Sequence, residues 1–110
     1  MSDLLYVIVK AVDEKLGTDI EILDFRGVSP FQDYFVIASA LNNRMAKSIA
    51  DNVEDKVYEA GYSVKSIEGD ENSSWILIDC YGVVVHIFVG ADRQIYSLER
   101  LWADLPRVEL

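Results

Sequence analysis

The sequence predicts one α/β domain over residues 1–110, with a mixed sheet of about five strands, two main helices and a short C-terminal helix. Two segments repeat apolar residues every three or four positions, as amphipathic helices do. Short segments rich in β-branched and aromatic residues lie between and after them, as expected for strands. A chain of 110 residues is long enough for one hydrophobic core and too short for two, so we expect a single domain.

The first predicted element is a helix that either Ser2 or Asp3 can cap and that Gly17 ends. Its apolar positions follow the period of 3.6 residues, which predicts one buried face made of Leu5, Ile8, Val9, Val12 and Leu16. This helix is therefore expected to pack against the sheet.

Two strands are predicted next. Residues 18–25 alternate loosely between apolar and acidic side chains, which is typical of a half-exposed strand near a sheet edge. Pro30 restricts both its own backbone and that of Ser29, so residues 27–31 are expected to form a turn. The segment D-Y-F-V-I-A at residues 33–38 is apolar on both faces and predicts an interior strand.

The second predicted helix begins at Asn42, a favourable N-cap, and ends at Gly61. Its apolar positions repeat every four residues: Met45, Ile49, Val53 and Val57. The outward face is acidic, and the simplest interpretation is that these charges are only solvated.

Residues 62–68 predict a third strand, reached from the second through the helix. A strand, a helix and a strand in this order predict a parallel pair with a right-handed crossover. Residues 69–74 form an acidic loop, and the segment from Ile95 to Trp102 predicts a short final helix that packs on the sheet. A tail is expected to begin at Pro106.

A β-hairpin is predicted from Trp75 to Val89, with Tyr81 and Gly82 as its two turn residues. Residues opposite one another in a hairpin point to the same side of the sheet. One side is then wholly apolar: Ile76, Ile78, Cys80, Val83, Val85 and Ile87. The other side is mixed, as in many protein-binding surfaces: Trp75, Leu77, Asp79, Val84, His86 and Phe88.

Each unusual residue of the hairpin also has a purely structural interpretation. Trp75 and Phe88 can form a cross-strand core pair instead of a binding surface. His86 is the only histidine, and we expect a hydrogen-bonded sheet residue more readily than a catalyst. Cys80, the only cysteine, is expected to be a small buried hydrophobic residue with an unreactive thiol.

Composition limits the classes of function. The formal charge of −9 repels phosphate backbones, so we expect no general nucleic-acid binding. One cysteine excludes an intramolecular disulfide, and no apolar segment approaches the roughly 20 residues of a membrane span. The residues Met1-Ser2-Asp3 lack the basic start of a signal peptide, so a cytoplasmic protein is expected.

No metal or cofactor site is predicted. One Cys and one His cannot supply the usual zinc ligands, and the common motifs for phosphate, dinucleotide and hydrolase sites do not occur. Asp79 could bind Mg²⁺ through phosphates, but two-metal nucleotidyl transfer needs several carboxylates and no Asp-x-Asp pair lies on its strand.

Five segments, in order, resemble the ribosomal silencing factors, also called Iojap-like proteins. These are D-Y-F-V-I-A at 33–38, R-M-A-K-S-I-A-D-N-V-E at 44–54, E-G with the following W-I-L-I-D within 68–79, V-V-V-H-I-F at 83–88 and Y-S-L-E-R-L-W at 96–102. The resemblance covers nearly the whole chain. It implies a domain similar to nucleotidyltransferases without their catalytic carboxylates, and hence a protein that is not an enzyme and needs no cofactor.

The resemblance also implies partners. Members of the family bind the large ribosomal subunit through its protein fourteen and hinder joining of the small subunit, which represses translation when nutrients are limiting, and several are homodimers. By position, the residues implied to contact the partner are Trp75, Asp79, Cys80 and Tyr81, with Trp75 as the anchor. Two other hypotheses stay open: a divergent nucleotide-binding or nucleotidyltransferase-like enzyme, and a homodimerising assembly module.

Overall fold

The computed structural model describes residues 3–109. Its strands are Thr18–Asp24 (β1), Tyr34–Ala40 (β2), Ser66–Glu68 (β3), Trp75–Asp79 (β4) and Val83–Val89 (β5), and its helices are Asp3–Glu14 (α1), Asn43–Glu59 (α2), Asp92–Tyr96 (α3) and Leu98–Leu101 (α4). The strands form one five-stranded sheet in the order β1-β2-β5-β4-β3. Because β2 and β5 are parallel and the other neighbours are antiparallel, the predicted mixed α/β fold is confirmed.

The sheet has a hydrophobic cluster on each face. α1 and α2 cover one face, where the larger cluster includes Leu5, Ile8, Val12, Val36, Ile49, Val53, Val57, Ile76, Ile78, Val85 and Ile87. The second cluster lies on the opposite face and consists of Leu23, Phe25, Ile37, Phe88 and Leu105, with Phe35, Trp75, Leu98 and Trp102 packed against it. The C-terminal segment covers only part of this second face.

α2 begins and ends as the sequence predicts. The Asn42 side chain accepts a hydrogen bond from the backbone N–H of Met45 at 2.8 Å, which satisfies one of the free donors of the first turn. At the other end Gly61 has a φ of +88°, and the N–H of Tyr62 bonds to the carbonyl of Val57. This is the left-handed ending that glycine favours.

α1 ends differently from the prediction. Leu16, not Gly17, has the positive φ, at 66°, and its side chain is exposed although the sequence pattern placed it in the core. A Cβ at residue 17 would lie 2.5 Å from Cγ1 of Val12, so glycine is needed there for close packing. At the start of α1, Asp3 is the first helical residue and not the cap, and the alternative cap, Ser2, lies outside the described residues.

The predicted hairpin register is confirmed at the five pairs that lie within the two strands. Trp75 lies opposite Phe88, Leu77 opposite His86, and Asp79 opposite Val84, with Ile76 and Ile78 opposite Ile87 and Val85. Tyr81 and Gly82 both have positive φ values, 62° and 137°, as a type I′ turn requires. The two predicted faces of the hairpin are therefore correct.

The predicted pairing of the third strand is wrong. β3 is only three residues long, lies at the sheet edge and pairs antiparallel with β4, while the parallel neighbour of β2 is β5. All three β3 side chains are exposed, whereas β5 is buried along most of its length. The central position beside β2 goes to the strand that has the most apolar surface to bury.

The predicted final helix is two short helices. Ser97, between α3 and α4, has a φ of 49°, so the chain changes direction there, and Ile95 and Leu101 point to solvent instead of packing on the sheet. The segment after Pro106 is not a free tail: the Pro106 carbonyl accepts the N–H of Asp24 at 2.9 Å and the N–H of Val108 donates to Ile22 at 3.0 Å. These bonds cover part of the β1 edge.

Candidate functional site: the aromatic face of the sheet

The side of the sheet opposite α1 and α2 is called the aromatic face here; its strand residues include Phe35, Trp75, Leu77, Asp79, Val84, His86 and Phe88. Rings form a continuous row across it. The centroid distances along this row are 5.1 Å from Trp102 to Phe25, 4.4 Å from Phe25 to Phe35, 4.5 Å from Phe35 to His86, 5.8 Å from His86 to Trp75 and 4.5 Å from Trp75 to Tyr96. Side chains of β2, β4 and β5 on this face, among them Phe35, Leu77 and Val84, stay partly exposed and are therefore accessible to a partner.

Trp75 fits both interpretations that the sequence left open. Its ring lies 5.0 Å from that of Phe88, so the predicted cross-strand pair is present, and Tyr96 packs against it from α3. Yet Trp75 is only half buried, while Phe88 is completely buried. The exposed part of a large aromatic ring held on a strand is the kind of group that anchors protein interfaces.

His86 is buried beside Trp75 and is held in one protonation form. The indole N–H of Trp75 donates to Nδ1 of His86 at 3.2 Å, so Nδ1 must be unprotonated. Burial lowers the pKa of His86 to about 4, so the ring is neutral at physiological pH. The polar partner of His86 is thus Trp75.

The lowered pKa of His86 predicts an acid-dependent loss of stability. The unfolded chain takes up a proton on this ring near pH 6.5 and the folded chain only near pH 4. The contribution of the neutral His86 ring to the free energy of unfolding is therefore fully present above pH 6.5. It declines as pH falls, by about 3 kcal/mol in all at roughly 1.4 kcal/mol per pH unit. Urea unfolding from pH 7 to pH 4 measures this: the difference in the free energy of unfolding between wild type and His86→Phe should change with that slope. A difference that stays constant with pH would contradict the lowered pKa of His86.

Asp79 and Tyr81 form the end of the aromatic face. Oδ1 of Asp79 accepts the backbone N–H of Tyr81 at 3.0 Å and so supports the turn. A tyrosine at a φ of 62° is unusual, because this region favours glycine and asparagine. The turn holds the Tyr81 ring away from the core, where 65% of it is exposed. These two predicted site residues are close together and accessible.

Cys80 does not lie with Asp79 and Tyr81 on the aromatic face. Its side chain is 1% exposed and lies in the cluster under α1 and α2, on the opposite face from Asp79. Burial raises the pKa of the thiol to about 12. The interpretation of Cys80 as a small buried hydrophobic residue is correct, and its placement among the partner-contacting residues needs correction, because it offers a partner no surface.

Two further residues lie at this end of the sheet and were not predicted as site residues. The backbone N–H of Asp33 donates to the carbonyl of Gly82 at 2.7 Å, so the loop before β2 lies against the hairpin turn. Asp33 then flanks the turn from one side and Asp79 from the other. Phe31, in the same loop, is 86% exposed, the highest value among the large hydrophobic residues described as exposed. Its position directly after Pro30, in a turn that cannot bury it, was the available signal.

A buried arginine fastens the C-terminal helices to this face. Arg93 of α3 is 6% exposed, and its Nη1 donates to Oγ of Ser39 on β2 at 2.9 Å. Its Nε lies 3.4 Å from Oε1 of Glu99 on α4. One guanidinium thus joins both short helices to the sheet, and so holds Tyr96 against Trp75. No periodic pattern in the sequence predicts a buried arginine here.

Comparison with known proteins identifies the family. The family model described as "ribosomal silencing factor during starvation" matches residues 1–110. The chain belongs to this family. The silencing factor RsfS of Halalkalibacterium halodurans is 38% identical over 98% of this chain and 92% of its own length. That of Bacillus subtilis is 37% identical over 97% and 91%. The predicted resemblance is confirmed.

The fold of the silencing factor family is also recovered in solved structures. A crystal structure of a Chromobacterium violaceum protein superimposes with a TM-score of 0.89 at 31% identity, covering 94% of this chain and 88% of the other. The names of the two relatives describe silencing factors, a regulatory role, and indicate no catalytic activity. These names favour the silencing-factor hypothesis over the alternative of a nucleotidyltransferase-like enzyme.

The part of this silencing-factor chain that the structure describes has no candidate metal cluster and no candidate membrane span. Within residues 3–109, no three His, Cys, Asp or Glu side chains lie together in a way that could hold a metal ion. Over the same residues, no helix is both long and apolar enough to cross a membrane.

Proposed function

We propose that this protein binds the large ribosomal subunit through its protein fourteen and hinders joining of the small subunit, so that translation is repressed when nutrients are limiting. The observation that supports this most is the aromatic face: a sheet surface with a partly exposed Trp75 and Asp79 beside the exposed Tyr81, in a chain of the silencing factor family.

Trp75 is the proposed anchor, with Tyr81 and Phe31 at the end of the surface. Large aromatic groups near the centre of an interface contribute most of the binding energy, and surrounding contacts exclude water. Trp75 is rigid because β4 and the rings of Phe88 and Tyr96 hold it, so little side-chain entropy is lost when it binds.

The charge of the surface favours a protein over RNA. Asp33 and Asp79 flank the hairpin turn, and in residues 3–109 neither forms an ion pair with a basic side chain. With a net charge of −9, the chain is attracted to a basic ribosomal protein and repelled by exposed ribosomal RNA. A protein of the large subunit is therefore the better fit. The proposal also places the protein in the cytoplasm with the ribosomes, and includes a homodimer as its free form.

Direct binding to purified protein fourteen tests the proposal. Calorimetry should detect a complex whose affinity falls as salt rises from 50 to 300 mM, because the attraction between opposite charges is screened. Tyr81→Ala should weaken binding by about tenfold, a typical loss for an exposed interface aromatic. Tyr6→Ala, which removes a similarly exposed ring from α1, is the matched control and should bind as wild type does. No heat with the wild-type protein would overturn the proposal.

A further inference from the structure

The contact between Trp75 and His86 has a consequence for how Trp75 is presented. The indole ring has one polar edge, its N–H, and that edge faces inward because the acceptor, Nδ1 of His86, belongs to a side chain that is 3% exposed. The exposed part of Trp75 is then its hydrocarbon edge. Without this acceptor, the N–H would have to find water or a partner atom, and the ring would turn accordingly.

Having His86 as this acceptor lowers the stability of the fold. Because Nδ1 accepts, the proton of the neutral ring is on Nε2, and Nε2 is buried with no hydrogen-bond partner in the described chain. The His86 ring instead packs against the Phe35 ring, with 4.5 Å between the two centroids. A buried donor without an acceptor is destabilising, and a phenylalanine of similar shape would fill this place in an aromatic row without that cost. Core packing alone therefore does not explain a histidine at residue 86.

We propose that His86 is a positioning residue for partner binding: its Nδ1 holds the indole N–H of Trp75 inward, so that an apolar edge of the ring meets an apolar pocket of the partner. The proposal rests on the proposed function, since it concerns the same surface. The surface of the partner that meets Trp75 is then hydrophobic, while the acidic groups of the proposed binding surface, Asp33 and Asp79, lie at the hairpin turn.

The charged and titratable groups around the pair do not replace His86 in this role. On β4 the nearest is Asp79, which bonds to the backbone N–H of Tyr81. On the C-terminal helices, Arg93 pairs with Glu99 and Ser39, and Tyr96 packs against the other side of Trp75. His86 is the described acceptor of the indole N–H. Protonation of Nδ1 would remove that acceptor and release the ring.

Two substitutions of His86 separate positioning from packing. His86→Phe keeps the ring volume and removes both the acceptor and the unpaired Nε2 donor; we expect an unfolding midpoint at or above that of wild type, and about fivefold weaker binding to large subunits, the loss of one modest hydrogen bond. His86→Asn places an amide oxygen near the position of Nδ1 but leaves space in the core. It should be less stable than wild type yet bind more tightly than His86→Phe. A purely structural role predicts that binding follows stability.

A double-mutant cycle completes the test. Trp75→Phe keeps the aromatic contacts but has no N–H, so His86→Phe should have no further effect on binding in that background. In the free protein, the Trp75 indole proton, assigned with Trp102→Phe, should exchange with water faster in His86→Phe than in wild type at the same pH.

The outcomes distinguish this inference from the proposed function. Equal binding by wild type and His86→Phe, or an equal loss in the Trp75→Phe background, would overturn the inference and leave the proposed function standing. No binding of wild-type protein to large subunits would overturn both. Unchanged exchange of the indole proton in His86→Phe would show that Nδ1 does not hold the ring.

Discussion

Trp75→Ala is expected to weaken binding to the large subunit by about two orders of magnitude, equivalent to about 3 kcal/mol, since a central tryptophan is the kind of residue that dominates an interface. The substitution should also lower the free energy of unfolding by about 2 kcal/mol, because the half-buried ring packs on Phe88 and Tyr96. The chain should remain folded, and co-sedimentation with purified large subunits at several protein concentrations measures the loss.

The two effects of Trp75→Ala can be separated with a matched variant. Leu98→Ala removes a side chain that packs on the same cluster from α4 but does not lie on the sheet. It should cost a similar amount of stability and bind nearly as well as wild type. If Leu98→Ala weakens binding as much as Trp75→Ala, then stability and not a direct contact of Trp75 explains the loss.

Arg93→Met should lower the free energy of unfolding by about 3 kcal/mol, the typical cost of removing one partner from a buried ion pair. The substitution leaves Glu99 without its cation and Ser39 without its donor, and it detaches α3 and α4 from the sheet. Urea unfolding measures the loss of stability. Hydrogen exchange should show earlier opening of residues 92–101 than of the β4–β5 hairpin.

A double variant provides the control for Arg93→Met. Arg93→Met with Glu99→Gln removes both charges, and it should recover most of the stability, because the largely buried Glu99 carboxylate costs most when it has no cation. A double variant no more stable than Arg93→Met would show that the ion pair does not fasten these helices.

The hairpin could be predicted from the sequence because its constraints are local. Side chains alternate with a period of two, so one turn of known length determines the facing residue of every position in both strands. Tyr81 and Gly82 supply that turn, and all pairs from Trp75–Phe88 to Asp79–Val84 follow. The start of α2 at Asn42 was predictable for the same reason, since a cap acts within one helical turn.

What could not be predicted depends on competition between distant segments. The placement of β3 at the edge depends on β5 burying more apolar surface beside β2, which no local pattern of β3 reveals. Ser97 breaks the final helix although its sequence period is continuous, because the break directs Leu98 and Trp102 to the second cluster and buries Arg93.

The candidate site was predicted in part. Trp75, Asp79 and Tyr81 lie together on an accessible surface, and their role in binding stays a prediction. Cys80 was placed beside them by its position in the sequence, but the alternation of the strand directs it to the core. The places of His86 and Phe31 in the site depend on contacts between distant segments: His86 contacts Trp75, and Phe31 lies in a loop that meets the hairpin turn at one end of the sheet.

Subunit joining in a density gradient is the direct test of the proposed silencing function. Large subunits incubated with excess protein, then mixed with small subunits, should migrate mainly as separate subunits, with the protein in the large-subunit fraction. Trp75→Ala protein at the same concentration should restore joined ribosomes. Joining that proceeds equally with and without the wild-type protein, or protein that never migrates with the large subunit, would contradict the account.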